Sequence, residues 1–499
     1  MSNFEDLKEH YRRQTALNIV RLLDTYRRWG EKPLPRDLAQ RILSLPEQEK
    51  IDSWLAALPG KANDPEEGEL LRQELERCLE PAPKHAPETT SIRETGMDAV
   101  KPVQSMTFAF TATRAFEEAW WKVINILANG AYVNKNTADC VEDPATLARL
   151  THHHRDLEPL AEYLLGRYRQ AIASAGMEGK IICGEMRFHW KTDFDFAAFG
   201  GWMKNQQDQT CERNLIVVIP GRNHGEAVMM ADHYDTAYRE DVYEKSQGGT
   251  GARIASAGAD DNHSATATLL QAAPIFLQLS QQGLLERDIW LVHLTGEEFP
   301  SDCLGARELA RALVEDSLCL YLGNGQTADL SNTRLVGAYI MDMIGHNRDY
   351  GADVIQIAPG RGRGALQLAW HAHDANTLWN AGTVEWNSDP SRLGMGRGRC
   401  SEDGIQIPQI AEHLQVHDEI RLIEDPRSSL FNTDGQIFSD CGIPVVLIME
   451  NYDISRSGYH DTMDTMKNID LDYGAALASV AIETVAIAAH CKTPPLLPD

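Results

Sequence analysis

The sequence contains no uninterrupted apolar run of about 18 residues, the length a membrane-spanning helix needs, so no transmembrane helix is expected. It begins MSNFEDLKEHYRRQ, polar and charged from the second residue, and shows no apolar segment of a Sec-type leader. Basic residues are few: 47 Lys and Arg stand against 73 Asp and Glu, a formal net charge of -26. That balance argues against nucleic acid and against an anionic membrane as partners, since both need basic patches. The nine cysteines are scattered, odd in number and without a C-x-x-C pair. A disulfide framework is not expected, and a reducing cytoplasm fits best. No internal repeat or low-complexity tract stands out.

What remains is an ordinary globular composition, 43% apolar and 24% charged, over 499 residues. That length holds a large core and more than one domain. Residues 1 to about 80 read as helical, with FEDLKEHYRRQTALNIVRLLDTYRRW, LPRDLAQRILSLP, EQEKIDSWLAALPG and GELLRQELERCLE as segments. EPAPKHAPETTSIRETG then reads as a linker. We take 1–100 as an all-helical N-terminal region with linker, carrying no chemistry. Packing or oligomerisation is its simplest use, which admits a homo-oligomer through it, and substrate gating is the alternative. Residues 101–499 form the second domain. Its first part continues helical, through RAFEEAWWKVINILANGAY and DLEPLAEYLLGRYRQAIASAG. The second of these could cover one face of the sheet that follows. His152, His153 and His154 are adjacent, cannot converge on one ion and read as a solvated turn.

From 181 onward strands and helices alternate. IICGEMRFHW, NLIVVIPG, AVMMAD, DIWLVHL, LVGAYIMD and PVVLIME are strand-like; SATATLLQAAPIFLQLSQQG and GARELARALVED are amphipathic. This alternation argues an α/β fold: a mixed, mainly parallel central sheet flanked by helices. In such sheets ligands sit beyond the carboxyl ends of the strands.

Five polar features fall at such ends. His233 and Asp235 follow the apolar run 227–231. Asp260, Asp261 and Asn262 precede a helical run, where a carboxylate meets the positive end of the helix and an N-cap alone would need only one of them. Glu297 and Glu298 follow strand DIWLVHL after a Thr-Gly turn; adjacent, they point in different directions. Asp342 ends LVGAYIMD, where burial is costly unless the carboxylate is paired or bound to a metal. His460 lies in a polar turn after PVVLIME. The chemistry such a set suits is metal-assisted hydrolysis. Two zinc ions about 3.5–4 Å apart need a bridging carboxylate and further His or carboxylate ligands, with a carboxylate that is not a ligand as base.

The ordered motifs HYD, GADDN, TGEE, LVGAYIMDMIG and YHDTMDT resemble the co-catalytic zinc peptidases of the bacterial leucyl aminopeptidase type. That family includes glutamate carboxypeptidase and, more distantly, the glutaminyl cyclases. The resemblance covers roughly residues 150–490. It implies the zinc exopeptidase fold and two zinc ions per chain. His233 and Asp342 would bind one zinc, Glu298 and His460 the other, and Asp261 would bridge them. Glu297 would be the general base, Asp235 would orient His233, and Tyr459 is placed like a tyrosine that donates to the scissile carbonyl in some members.

Several residues depart from the family pattern. His263 follows Asp261-Asn262, where a small residue is usual; the turn FPSDCLGARELA is long and carries Cys303; Asp461 stands where Thr is frequent. None removes a ligand or the base. An aminopeptidase acting on peptides or small amides is the leading expectation. A carboxypeptidase or dipeptidase comes second, with Arg361, Arg363, Arg397 and Arg399 in Gly-rich stretches as a conceivable carboxylate clamp. A one-zinc glutaminyl cyclase is third, and a binding protein on a degenerate peptidase fold last. His371 and His373 alternate in AWHAHDAN, but a third metal site is not expected there.

Overall fold

The structure is a computed structural model that describes residues 105–129, 154–190, 210–240, 253–298, 301–323, 325–347, 353–388, 399–400, 406–408, 412–452, 459–460 and 464–490. The helical reading of 1–100, its linker, His152 and His153 lie outside these residues. By contacts the chain divides into Met1–Gln104 with Ile420–Ser429, and Ser105–Glu419 with Leu430–Asp499. Of the first unit only 420–429 are described; there the Asp425 carboxylate accepts the Arg427 amide at 2.9 Å. The second unit carries every candidate site residue.

That unit opens with helices α1 (Phe108–Thr111), α2 (Arg114–Asn129) and α3 (His154–Ser174). Strands β1 (Ile182–Trp190), β2 (Thr210–Ile219) and β3 (Asn223–His233) follow, with a ribbon of β4 (Tyr238–Glu240) and β5 (Arg253–Ala255). Next come α4 (His263–Gln281), β6 (Arg287–Leu294), α5 (Leu304–Val314), β7 (Cys319–Gly323), β8 (Gln326–Asp329), β9 (Arg334–Asp342), β10 (Val354–Pro359) and α6 (Gly362–Asn387). The last elements are β11 (Arg399–Cys400), β12 (Gln406–Ile407), β13 (His417–Ile420), α7 (Asp434–Asp440), β14 (Val445–Glu450) and α8 (Leu471–His490).

Ten strands form one sheet in the order β13-β10-β14-β9-β3-β6-β2-β1-β7-β8. Its centre, β14-β9-β3-β6, pairs parallel. The wings pair antiparallel: β10 on β14, β2 on β6, β1 on β2, β7 on β1 and β8 on β7. The sheet is thus mixed, with a smaller parallel share than the alternation suggested. Antiparallel neighbours need no crossover helix, so their strands leave little helical signal between them. The parallel centre is the part that matters for the site, because its carboxyl ends lie side by side.

Strand β6 is buried throughout, polar members included. His293 pairs with Asp232 at 2.6 Å and with the Tyr168 hydroxyl at 2.7 Å, while Thr266 donates to Asp232 at 2.5 Å. Such a network is tolerated in a core only when its members are paired. It ties α3, α4, β3 and β6 together, so α3 does cover the sheet as its sequence suggested. On α2, Phe116, Trp120, Val123, Ile124 and Leu127 form the buried stripe. Trp120 donates its indole N–H to the Ser264 carbonyl at 3.1 Å and to Thr268 Oγ1 at 2.8 Å, on α4. Gly474 makes room for it: a Cβ there would lie 2.1 Å from the Trp120 ring. Helix α8 is apolar and long enough to cross a membrane, but all of it except Asp472 and His490 is buried inside this unit. It is a core helix.

Candidate active site

Two strands deliver the first pair of residues. His233 is the last residue of β3 and Asp342 the last of β9, its parallel neighbour; they are 2% and 5% exposed. Alternation along a strand sends one residue in two to the same face, so each apolar run ends with a polar side chain aimed past the sheet edge.

Asp261 arrives in the turn before α4, and that turn is tightly held. The Asp464 carboxylate accepts the amides of Asp260 and Asp261, each at 3.0 Å. Asn262 donates from Nδ2 to the Met341 carbonyl at 3.0 Å, and its Oδ1 accepts the Met343 amide at 3.1 Å. Asp260 Oδ1 accepts the Gly345 amide at 2.8 Å. The turn bearing Asp261 is thereby laced to the end of β9, and the Asp261–Asn262 peptide is cis. Glu297 and Glu298 follow β6 through Gly296, whose φ of +63° is a conformation other residues rarely adopt. Asp235 holds this turn: its Oδ1 accepts the Glu297 amide and its Oδ2 the Glu298 amide, both at 3.1 Å.

All five expected metal ligands converge. His233 Nε2 lies 3.3 Å from Asp261 Oδ1 and 3.4 Å from Asp342 Oδ1. His460 Nε2 lies 3.2 Å from Asp261 Oδ2 and 3.3 Å from Glu298 Oε2. Asp261 turns one oxygen to each histidine. The result is two donor triads, His233/Asp261/Asp342 and Asp261/Glu298/His460, each able to hold an ion and sharing one residue. Donors about 2.0–2.1 Å from a tetrahedral zinc stand roughly 3.3 Å apart, which is the spacing found here. Glu298 Oε1 is buried without a hydrogen-bond partner, as a carboxylate reserved for a cation would be. The residues fit the group that the sequence resemblance implies.

The remaining candidates surround these triads. His233 Nδ1 meets the Asp235 carbonyl at 3.2 Å and its Oδ1 at 3.6 Å. The backbone of Asp235 therefore contributes to orienting His233, while its carboxylate also serves the Glu297-Glu298 turn. Glu297 is no member of either triad; its Oε2 sits 3.9 Å from His233 Nε2. The Tyr459 ring stacks on His460, centroids 3.9 Å apart at 21°, and meets the Tyr452 ring edge-on at 5.2 Å.

The electrostatics describe a pocket in need of positive charge. Burial raises the pKa of Glu297 well above the usual range; His233 works against this, and Asp342, Asp434 and Asp261 add to it. Burial likewise raises Glu298, with Asp261 and Glu297 adding to it. Asp261 goes the other way: burial opposes ionisation, but His233 and His460 together hold its pKa low. Burial would lower the His233 pKa, yet Glu297, Asp235, Asp261 and Asp342 push it well above its ordinary value. Opposed shifts in one small cleft mark a functional site.

Other readings are settled by position. Gly360 bonds to Val445, the first residue of β14, whereas Asp342 pairs with Met449 near the last. Arg361 and Arg363 therefore begin α6 at the opposite edge of the sheet, on the order of 13 Å along the strands from the site. Their backbone thus lies away from the triads; Arg397 lies outside the described residues, and Arg399 opens β11. His371 meets the Tyr339 hydroxyl at 3.3 Å and His373 meets Asp418 at 2.6 Å, which are structural pairings. His263 is fully buried at the start of α4. Two residues escaped the sequence reading. Asp464 holds the Asp261 turn, and Asp434, buried at the start of α7, has no hydrogen-bond partner for either oxygen. Nothing local in YHDTMDT or FNTDGQIF marks either one.

Residues 214–387 match the model of peptidase family M28. No curated relative matches the sequence. Among solved structures, LapA aminopeptidase of Legionella pneumophila is similar at 14% identity and TM-score 0.45, over 80% of this chain and 79% of that one. A glutaminyl cyclase of Bacteroides thetaiotaomicron has 16% identity and TM-score 0.42, over 76% and 98%. A Zn-dependent exopeptidase of Parabacteroides distasonis has 16% identity and TM-score 0.40, over 75% and 98%. All three are distant. The family match spans the segment that supplies His233, Asp261, Glu297, Glu298 and Asp342, and with the two donor triads it supports a zinc metallo-exopeptidase.

Proposed function

We propose that this chain is an aminopeptidase that removes N-terminal residues from peptides at a centre of two zinc ions sharing Asp261. The observation that carries the two-ion reading is the pair of donor triads meeting at the two oxygens of Asp261. His233 and Asp342 would hold one ion, Glu298 and His460 the other. Bound there, zinc would supply Lewis acidity and a water of lowered pKa.

The chain's own residues do the rest. Glu297 stands beside the triads without joining them, so its carboxylate is free to take a proton from the attacking water and return it to the departing amine. Asp235 fixes both glutamates by their amides. Tyr459, flat against His460, braces that imidazole, and donation from its hydroxyl to the scissile carbonyl belongs to this proposal.

Charge supports the choice of substrate end. Asp235, Asp261, Glu297, Glu298 and Asp342 are five acidic groups around the two proposed ions. Among the described residues none of them has an arginine or lysine partner. Such a site attracts an ammonium terminus and repels a free carboxylate. The test is a pair of peptides on zinc-loaded protein, one with a free amino terminus and its twin acetylated. Release of the first residue from the free form alone is expected. Cleavage of the acetylated twin from its carboxyl end would overturn the reading in favour of a carboxypeptidase. Cyclisation of an N-terminal glutamine with no hydrolysis would overturn it in favour of a cyclase.

A further inference from the structure

We propose that Cys303 is a positioning residue for Glu297, fixing one carboxylate oxygen of the base so that the other faces the reaction; this rests on the hydrolase reading above. Cys303 is bound to Glu297 twice. Its amide donates to the Glu297 carbonyl at 3.0 Å. Its thiol donates to Glu297 Oε1 at 4.0 Å. Glu297 Oε2 is left on the side of His233 Nε2, 3.9 Å away, where the triads meet. The two oxygens are thus distinguished, one anchored and one available.

The backbone supports this placement. Cys303 precedes α5 in the left-handed region, φ 59° and ψ 36°, and Asp302 before it has φ 56°. A residue with a side chain rarely adopts that region. Here the conformation turns the thiol inward, where Cys303 is 8% exposed.

Behind the thiol lies Asp434, 1% exposed, both of whose oxygens lack a hydrogen-bond partner. Helix α5, which Cys303 caps, packs on α7, which Asp434 begins. Burial has pushed the Asp434 carboxyl up to about 8, with the nearby His233 and Cys303 working against it. Cys303 therefore contacts Glu297 and lies near Asp434. An uncharged donor suits that place: an ammonium there would bind the base as an ion pair, and an aliphatic side chain would leave both oxygens bare. Burial first, then Asp434 and Glu297, keep this thiol protonated, so it acts as a donor and not as a nucleophile.

The test compares C303A, C303V and C303S in the full-length, zinc-loaded protein, with zinc content measured on each. The expected result is a kcat about tenfold lower in C303A and C303V, with KM and zinc content unchanged, and recovery of most of kcat in C303S, whose hydroxyl can still donate. C303V fills the space without a donor and keeps the comparison meaningful where C303A packs poorly. The second readout needs no turnover. The infrared S–H stretch of Cys303, assigned by subtracting the C303A spectrum, should move in E297Q and D434N. Unchanged kcat in C303A and C303V, equal losses in all three variants, or an S–H band indifferent to E297Q would each overturn the proposal. A wild-type protein inactive on every peptide, with a band that still moves in E297Q, would sink the hydrolase reading while leaving the Cys303–Glu297 contact standing.

Discussion

Asp464 reaches across 203 residues of sequence to accept the Asp261 amide at 3.0 Å, and its other oxygen accepts Asp260. The residue proposed to bridge two zinc ions is thus held by its backbone before any ion arrives. Asp464 is itself fully buried. Replacing Asp464 by Asn keeps the volume but turns one acceptor into a donor facing an amide. Zinc affinity is expected to fall by about 10- to 100-fold, the range seen when groups that orient metal ligands are lost. Titration with a competing chelator measures it; unchanged affinity would mean that the turn holds its shape without Asp464.

Glu297 and Glu298 are neighbours with separate assignments, and that separation can be tested. Glu297→Gln removes the base and leaves both triads intact. Zinc content should stay at the wild-type level while kcat falls by roughly 10²- to 10⁴-fold. Glu298→Gln should instead release metal. Loss of zinc from the Glu297 variant would show that the two roles are exchanged.

Asp235 joins the two halves of the site by accepting the amides of both glutamates and flanking His233. Asp235→Ala is expected to weaken zinc binding and to lower kcat together, because it frees the turn and the imidazole at once. A variant with normal kcat and reduced zinc affinity alone would restrict Asp235 to His233.

His371 gives a pH dependence away from the metals. Burial, and then Arg287, lower its pKa from 6.5 to about 4. In the unfolded chain it takes up a proton below about 6.5, and in the folded chain only near 4. The unfolded state therefore binds more protons between these values, and stability falls as pH drops through that window, by up to about 3 kcal/mol. Urea unfolding at pH 7 and pH 4.5 should show a smaller loss in His371→Gln than in wild type. Equal losses would place the acid sensitivity elsewhere.

The sequence made the strand-borne half of the site readable because of contrast. His233 and Asp342 are polar residues ending apolar runs, and Glu297-Glu298 follow another run after a glycine. Parallel pairing then made neighbours of residues more than a hundred positions apart. What escaped had no such contrast. Asp464 and Asp434 act through distant partners, on the Asp261 turn and behind Cys303, and a lone Asp in a polar stretch has the same local appearance whatever it holds. The arginines of PGRGRG looked conspicuous in an acidic chain, yet β10 runs antiparallel to β14 and carries them to the far edge. Strand direction is set by pairing, which the local sequence does not encode. The helical reading of 1–100 has no structural counterpart among the described residues.

The account stands most directly on two ions meeting at Asp261. Anomalous diffraction at the zinc edge, on crystals of the zinc-loaded protein, would locate them. Two peaks are predicted, one among His233, Asp261 and Asp342, the other among Asp261, Glu298 and His460, separated by about 3.5–4 Å. A single peak at saturating zinc, or a second one away from Asp342, would contradict the co-catalytic centre.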